Sequence, residues 1–125
     1  MKVLVIDDDA NVRLIVRTVL EDEGFSVSAF DNAVDGIRDA LKDAPDVILL
    51  DIMMADTDGF EACQALKAKE LTKDIPVIML SAKADPASVK RAKEAGAAGY
   101  IFKPFDPFKL RTRISALAQQ ELVPG

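Results

Sequence analysis

The sequence predicts an α/β fold, a doubly wound parallel sheet with helices on both faces, and three observations predict it. Four short runs, Val3-Leu4-Val5-Ile6, Val47-Ile48-Leu49-Leu50, Val77-Ile78-Met79-Leu80 and Tyr100-Ile101-Phe102, are apolar throughout, as strands are when both of their faces are covered. Segments of helical periodicity separate them, so successive strands are joined by crossovers rather than by hairpins. The runs also end alike, on residues suited to a phosphate or a hard cation: Asp7-Asp8-Asp9, Asp51, Ser81 and Lys103. In a parallel sheet all carboxyl ends lie along one edge, where ligands bind. Residues far apart in the chain are thereby expected to become neighbours.

The elements follow in order. Val12, Ile15, Val16, Val19 and Leu20 recur at helical spacing and Gly24 follows as a stop, which predicts a first helix over about 10–23. A second strand near 25–30 alternates, with Phe25, Val27 and Ala29 on one side and Ser26 and Ser28 on the other; alternation suits an edge strand. Asp31 or Asn32 caps a second helix carrying Val34, Ile37 and Leu41, which stops before Pro45. A loop at 52–58 leads to a third helix with Phe60, Cys63 and Leu66. Asp85-Pro86 and Asp106-Pro107 are cap-then-proline starts. They open helices with Val89, Ala92 and Ala95, closed by Gly96, and with Leu110, Ile114 and Leu117. Strand–helix units repeat five times, and right-handed crossovers force a doubly wound sandwich. The edge character of the second strand favours the order 2-1-3-4-5, a flavodoxin-like topology with the first and third strands side by side at the switch point.

At 125 residues the chain is one domain, taken as residues 1–122 with a short tail at 123–125. No apolar stretch approaches the length of a bilayer span, and the first is cut off by three aspartates, so a cytoplasmic location without a membrane segment is expected. The single cysteine, Cys63, excludes an internal disulfide, and the absence of histidine removes histidine-based acid–base catalysis. A net charge of -5 argues against direct nucleic-acid binding. The charge is uneven: residues 83–113 carry eight basic side chains against three acidic ones. That excess reads either as solvated helix faces or as a surface for an output partner.

With that strand order Asp7, Asp8 and Asp51 converge, and carboxylates so close resist full ionisation unless a cation sits among them. A divalent ion with oxygen ligands answers this, Mg²⁺ in particular, since it uses few carboxylates and bridges to phosphate. Lys103 adds a point charge suited to phosphate oxygens and Ser81 a hydroxyl. Together they could neutralise a transferring phosphoryl group. With no histidine to activate a serine or cysteine, a carboxylate is the available covalent acceptor. Asp51 is the best candidate because it ends its strand alone, whereas Asp7 and Asp8 come as a pair. Singly, each residue has a simpler reading, as a helix cap, a turn or a solvated charge; only the set asks for a site. A flavin protein of the same topology would want a Ser/Thr/Gly-rich phosphate loop where Asp7-Asp8-Asp9 stands. An aspartate-nucleophile phosphohydrolase would want a second aspartate where Met53 stands.

Four ordered motifs, VLVIDDD, VILLDIMMADTDGFE, VIMLSA and GYIFKPF, make the chain resemble a response regulator receiver domain over essentially its whole length. The resemblance implies a phosphoacceptor switch rather than a turnover enzyme, with Asp51 taking a phosphoryl group from a histidine on a sensor kinase or phosphotransfer protein. It implies that Asp8, Asp51 and the backbone carbonyl of Met53 bind Mg²⁺ directly, with Asp7 acting through water, and that Lys103 pairs with the phosphate. It also implies a cis Lys103-Pro104 bond, a Ser81 that moves toward the phosphoryl group and a Tyr100 that turns inward behind it. The family's usual proline is Ala55 here, so the loop after Asp51 is expected to be looser. Ala98-Gly99 replaces acidic residues used in the salt-bridged dimers of winged-helix regulators, so a monomer or weak dimer is expected. Leu14, off the buried stripe of its helix, could help dock the phosphodonor, but a singly exposed leucine is ordinary and that simpler reading is preferred. The output is assigned to a partner, or to an output domain elsewhere in a longer protein, near residues 83–113.

Overall fold

Strands β1 (Lys2–Ile6), β2 (Ser26–Phe30), β3 (Val47–Asp51), β4 (Val77–Ser81) and β5 (Gly99–Phe102) alternate with helices α1 (Ala10–Asp22), α2 (Ala33–Lys42), α3 (Gly59–Ala68), α4 (Pro86–Glu94) and α5 (Leu110–Ala118). The computed structural model describes residues 1–55 and 57–118; the expected tail at 123–125 lies outside them. The strands pair in parallel in the order β2-β1-β3-β4-β5. This is the flavodoxin-like order expected from the alternating second strand.

Strand alternation divides the core into two layers. Val3 and Val5 of β1, with Leu49, Ile78, Leu80 and Ile101, pack on Val12, Val16 and Leu20 of α1 and on Leu110 and Ile114 of α5. Leu4, Ile6, Ile48, Leu50, Val77 and Met79 face the other way, onto α2, α3 and α4 through Ala33, Ala40, Phe60, Cys63, Leu66, Ala92 and Ala95. Leu50 and Leu66 are fully buried. Truncating either to alanine should cost about 2–5 kcal/mol, as core cavities do.

Local sequence signals set the helix ends. Asp9, Asn32, Asp58 and Asp85 each accept a backbone N–H from the first turn of the helix they precede. Past α1, Gly24 adopts φ +96° while its N–H donates to Glu21 O and that of Phe25 to Leu20 O. Gly96, at φ +98°, ends α4 through the same pair of bonds to Lys93 and Ala92.

Four expectations need correction. Val34 does not belong to the buried stripe of α2, since it is 58% exposed and the buried residues are Ala33, Gly36 and Ala40, with Ile37 packed against the core as expected. The reason is close approach: a Cβ at Gly36 would collide with the Ile6 side chain, so α2 meets the sheet through its small residues and turns Val34 out. Ile15 of α1 and Val89 of α4 are likewise more exposed than their stripes suggested. Asp106-Pro107 opens a 3-10 turn (Pro107–Lys109) before α5 begins.

Candidate functional site

The register carries the strand ends to one place. Ile6 lies beside Leu50, so Asp7, the next residue, stands next to Asp51, the last residue of β3. Ser81 ends β4 opposite Phe102, and Lys103 follows at once. Asp7, Asp51 and Ser81 are buried, and the Lys103 side chain is largely covered. Asp8 is exposed at the rim. The third aspartate has the simpler role that was open to all three: Asp9 caps α1, and its own N–H donates to Asp7 Oδ1 at 2.9 Å.

The loop after Asp51 is fastened at both ends. Met53 N–H donates to Asp51 Oδ1 at 3.3 Å, and Met53 pairs with Asp58 in a single antiparallel bridge. Gly59 N–H donates to Ile52 O at 2.8 Å. Only glycine fits there, because a Cβ would run into the Asp51 carbonyl. Asp56 falls outside the described residues.

Electrostatically the pocket holds too much negative charge for its depth. Lys103 Nζ stands 2.7 Å from Asp7 Oδ2 and 3.4 Å from Asp51 Oδ1. Burial, reinforced by the neighbouring Asp7 charge, pushes the Asp51 carboxyl up to about 7 even though Lys103 pulls the other way. Burial would lower Lys103, but Asp7 and Asp51 outweigh it and raise the ammonium above its ordinary range. The Lys103 ammonium is the partner of Asp7 Oδ2, which is buried and makes no other hydrogen bond. One carboxylate oxygen from each of Asp7, Asp8 and Asp51 lies within 4.8 Å of the others. Three hard oxygen donors drawn together at a buried pocket fit a small divalent cation such as Mg²⁺.

Around the acids, Ser81 Oγ accepts the N–H of Lys83 at 3.1 Å and Ser81 O accepts that of Lys103 at 2.9 Å. Tyr100 is already turned in: it is 9% exposed, and its hydroxyl donates to Lys83 O at 2.8 Å. The Lys103–Pro104 bond is cis. Leu14 is 63% exposed. An apolar groove of about 360 Å³ runs past Val12, Ile15, Pro104 and Phe105 to Lys103. The basic 83–113 segment is not one surface. Lys103 enters the pocket and Arg111 lies over the Phe25 ring at 5.6 Å, while Lys90, Lys93, Lys109 and Arg113 are exposed on helices flanking the β5 edge.

Sequence reasoning missed Arg13, whose Nη1 donates to Asp7 O at 2.8 Å and holds the backbone that presents the acidic pair. Its place in the first turn of α1, six residues past Asp7, was the available signal.

Comparisons with known proteins agree with this geometry. The family model described as response regulator receiver domain matches residues 3–115. Transcriptional regulatory protein ResD of Bacillus subtilis is 40% identical over 119 residues, 95% of this chain and 48% of that protein. The phosphate regulon regulatory protein PhoB of Pseudomonas aeruginosa is 37% identical over 94% of this chain and 52% of its own length. The chain thus spans about half the length of these relatives. Among solved structures, the chemotaxis protein CheY4 of Vibrio cholerae superposes with a TM-score of 0.89 at 31% identity, covering 93% of this chain and 97% of that one. A DrrB receiver domain described as BeF3 activated gives 0.83 at 34% identity, over 95% and 97% of the two chains. The five strands in this order, the acids gathered at their carboxyl edge and these matches place the chain in the response regulator receiver domain family.

Proposed function

We propose that this domain is the phosphoacceptor switch of a two-component relay and that Asp51 is the residue phosphorylated. The observation that carries the reading is the buried Asp51 carboxylate, set beside a second buried acid and one lysine in a pocket whose charge is not balanced. A phosphoryl group on a donor imidazole would transfer by in-line attack of an Asp51 oxygen: the P–O bond forms while the P–N bond breaks, and the imidazole nitrogen keeps the electron pair. Lys103, already within reach of Asp51, would accompany the transferred oxygens, and Ser81 would offer its hydroxyl to one of them. Asp7, Asp8 and Asp51, with the Met53 carbonyl, would hold Mg²⁺, which when bound supplies the charge that makes a phosphoryl group tolerable among carboxylates. Arg13 and the N–H of Asp9 keep Asp7 oriented for that task.

The donor is a sensor histidine kinase or histidine phosphotransfer protein. It would dock on the apolar groove by Ile15, Pro104 and Phe105. For readout, Ser81 and Tyr100 form the switch, and phosphorylation shifts a pre-existing balance rather than building a new state. The inward Tyr100, bonded to Lys83 O, represents one side of that balance. The output is read by a partner or further domain near the basic side chains of α4 and α5 that flank β5. The unit acts in the cytoplasm as a monomer or weak dimer and not as a turnover enzyme. No helix among the described residues is long and apolar enough to cross a membrane.

The test is incubation with Mg²⁺ and acetyl phosphate followed by intact-mass and peptide analysis. One phosphoryl adduct on Asp51, absent without Mg²⁺ and abolished in Asp51→Asn, is expected; an adduct elsewhere, or none, would refute the assignment. Because the chain has one tyrosine and no tryptophan, beryllofluoride should also change the Tyr100 fluorescence.

A further inference from the structure

We propose that Arg91 is a positioning residue, a single side chain that ties α4 to the loop following Asp51 and so links the order of the acidic site to the order of α4. This rests on the reading of that site as a Mg²⁺ site. Arg91 Nη2 stands 3.4 Å from Asp58 Oδ2, and its guanidinium carbon lies 4.4 Å above the Phe60 ring centroid. The two contacts converge on the first turn of α3. The other Asp58 oxygen, Oδ1, accepts the Phe60 N–H at 2.8 Å as the helix cap, and the Asp58 backbone bridges to Met53, two residues from Asp51. A continuous chain of contacts therefore runs from α4 through Arg91, Asp58 and Met53 to the acceptor.

Arginine suits this place better than lysine. Its planar guanidinium can pair with a carboxylate while stacking on a ring, whereas an ammonium is a hydrated point charge. The neighbouring Lys90 pairs within its own helix, with Glu94 at 4.0 Å. On the buried side, α4 presents the small side chains of Ser88 and Ala92, with Ala95 just past its end. A few contacts at its flank then count for more. Linkage makes the coupling reciprocal: order imposed on the loop by an ion favours Arg91 on Asp58, and a ligand that draws Arg91 away from Asp58 loosens the loop. Both side chains are partly solvated, at 60% and 35% exposure. The effect is therefore graded, about three- to tenfold, as expected for an exposed ion pair plus a cation–π contact.

The experiment uses the full chain and its variants Arg91→Ala, Arg91→Lys and Asp58→Asn, the last keeping a capping oxygen while losing the charge. Mg²⁺ titration followed by Tyr100 fluorescence at constant ionic strength should show a weaker midpoint by about three- to tenfold in Arg91→Ala and an intermediate one in Arg91→Lys. In metal-free protein, hydrogen exchange at the Met53 and Gly59 amides should quicken by a similar factor while α1 is unchanged. The double variant Arg91→Ala with Asp58→Asn should be no weaker than the worse single one. If wild type responds to Mg²⁺ and Arg91→Ala matches it in both midpoint and exchange, or if the two substitutions simply add, Arg91 has no such role. If wild type itself ignores Mg²⁺, the reading of the acidic site falls first and this inference with it.

Discussion

Opposite edges of one sheet each gather aspartates around a lysine, yet they behave differently. At the amino edge, Lys2 Nζ donates to Asp43 Oδ2 at 2.9 Å, to Asp43 O at 3.2 Å and to Asp39 Oδ2 at 3.3 Å, while the Lys2 N–H donates to Asp46 Oδ2 at 2.7 Å. At the carboxyl edge, Lys103 Nζ stands 2.7 Å from Asp7 Oδ2 and 3.4 Å from Asp51 Oδ1. The difference is depth. Asp43 is 74% and Asp39 26% exposed, whereas Asp7 and Asp51 are almost entirely covered. Water shares the charge at the first cluster, and only a cation or a proton can at the second. Composition makes both clusters acidic; burial makes one of them a site.

The largest expected effect tests that contrast by pH. Folded protein holds the Asp51 proton up to about pH 7, while the unfolded chain releases it near the ordinary value of 3.8. The folded state thus binds more protons across that interval, and its stability falls as pH rises from about 4 to about 7. Asp51→Asn should therefore stabilise metal-free protein at pH 8 by as much as roughly 4 kcal/mol, with little gain near pH 4. Urea denaturation in a chelator would show this, and a wild type equally stable at both pH values relative to Asn would contradict it.

Next in size, Lys103→Met should cost about 2–3 kcal/mol at pH 8 and less at pH 5, where Asp51 takes up its proton. Lys2→Met should cost under about 1 kcal/mol. Between pH 5 and 8 that smaller cost should stay flat, because Asp43 and Asp39 raise the Lys2 ammonium against its burial and its contribution is lost only above the ordinary lysine value of 10.5. Equal losses at the two edges would erase the distinction. Third, Mg²⁺ at a hundredfold its dissociation constant should stabilise wild type by about 2.7 kcal/mol at pH 8. The same ion should leave Asp51→Asn nearly unmoved and Asp43→Asn as responsive as wild type, read by the shift in thermal midpoint. Smallest of all, Asp43→Asn should change stability by no more than about 0.5 kcal/mol, and a larger loss would mean that the exposed cluster is structural.

Much of this site was legible in the sequence. Asp51, Ser81 and Lys103 each end or follow an unbroken apolar run, and the alternation Phe25, Val27, Ala29 marked the edge strand from which the order follows. Val34 misled because its apolar character took no account of Gly36, which lets α2 sit against Ile6 and turns Val34 to solvent. Arg91 carried no local mark of its role, since its partners Asp58 and Phe60 belong to another helix.

By itself, then, the chain determined its strands, its helix caps and which chemical groups stand at the strand ends, because strand alternation, cap hydrogen bonds and glycine's freedom at positive φ are settled within a few residues. Tertiary structure alone decided which acids are buried and which wet, that Lys103 pairs with buried Asp7, that Tyr100 points inward onto Lys83 O and that Arg91 reaches Asp58. Charge interactions depend on depth and on neighbours brought from distant segments, and both exist only once the crossovers have closed.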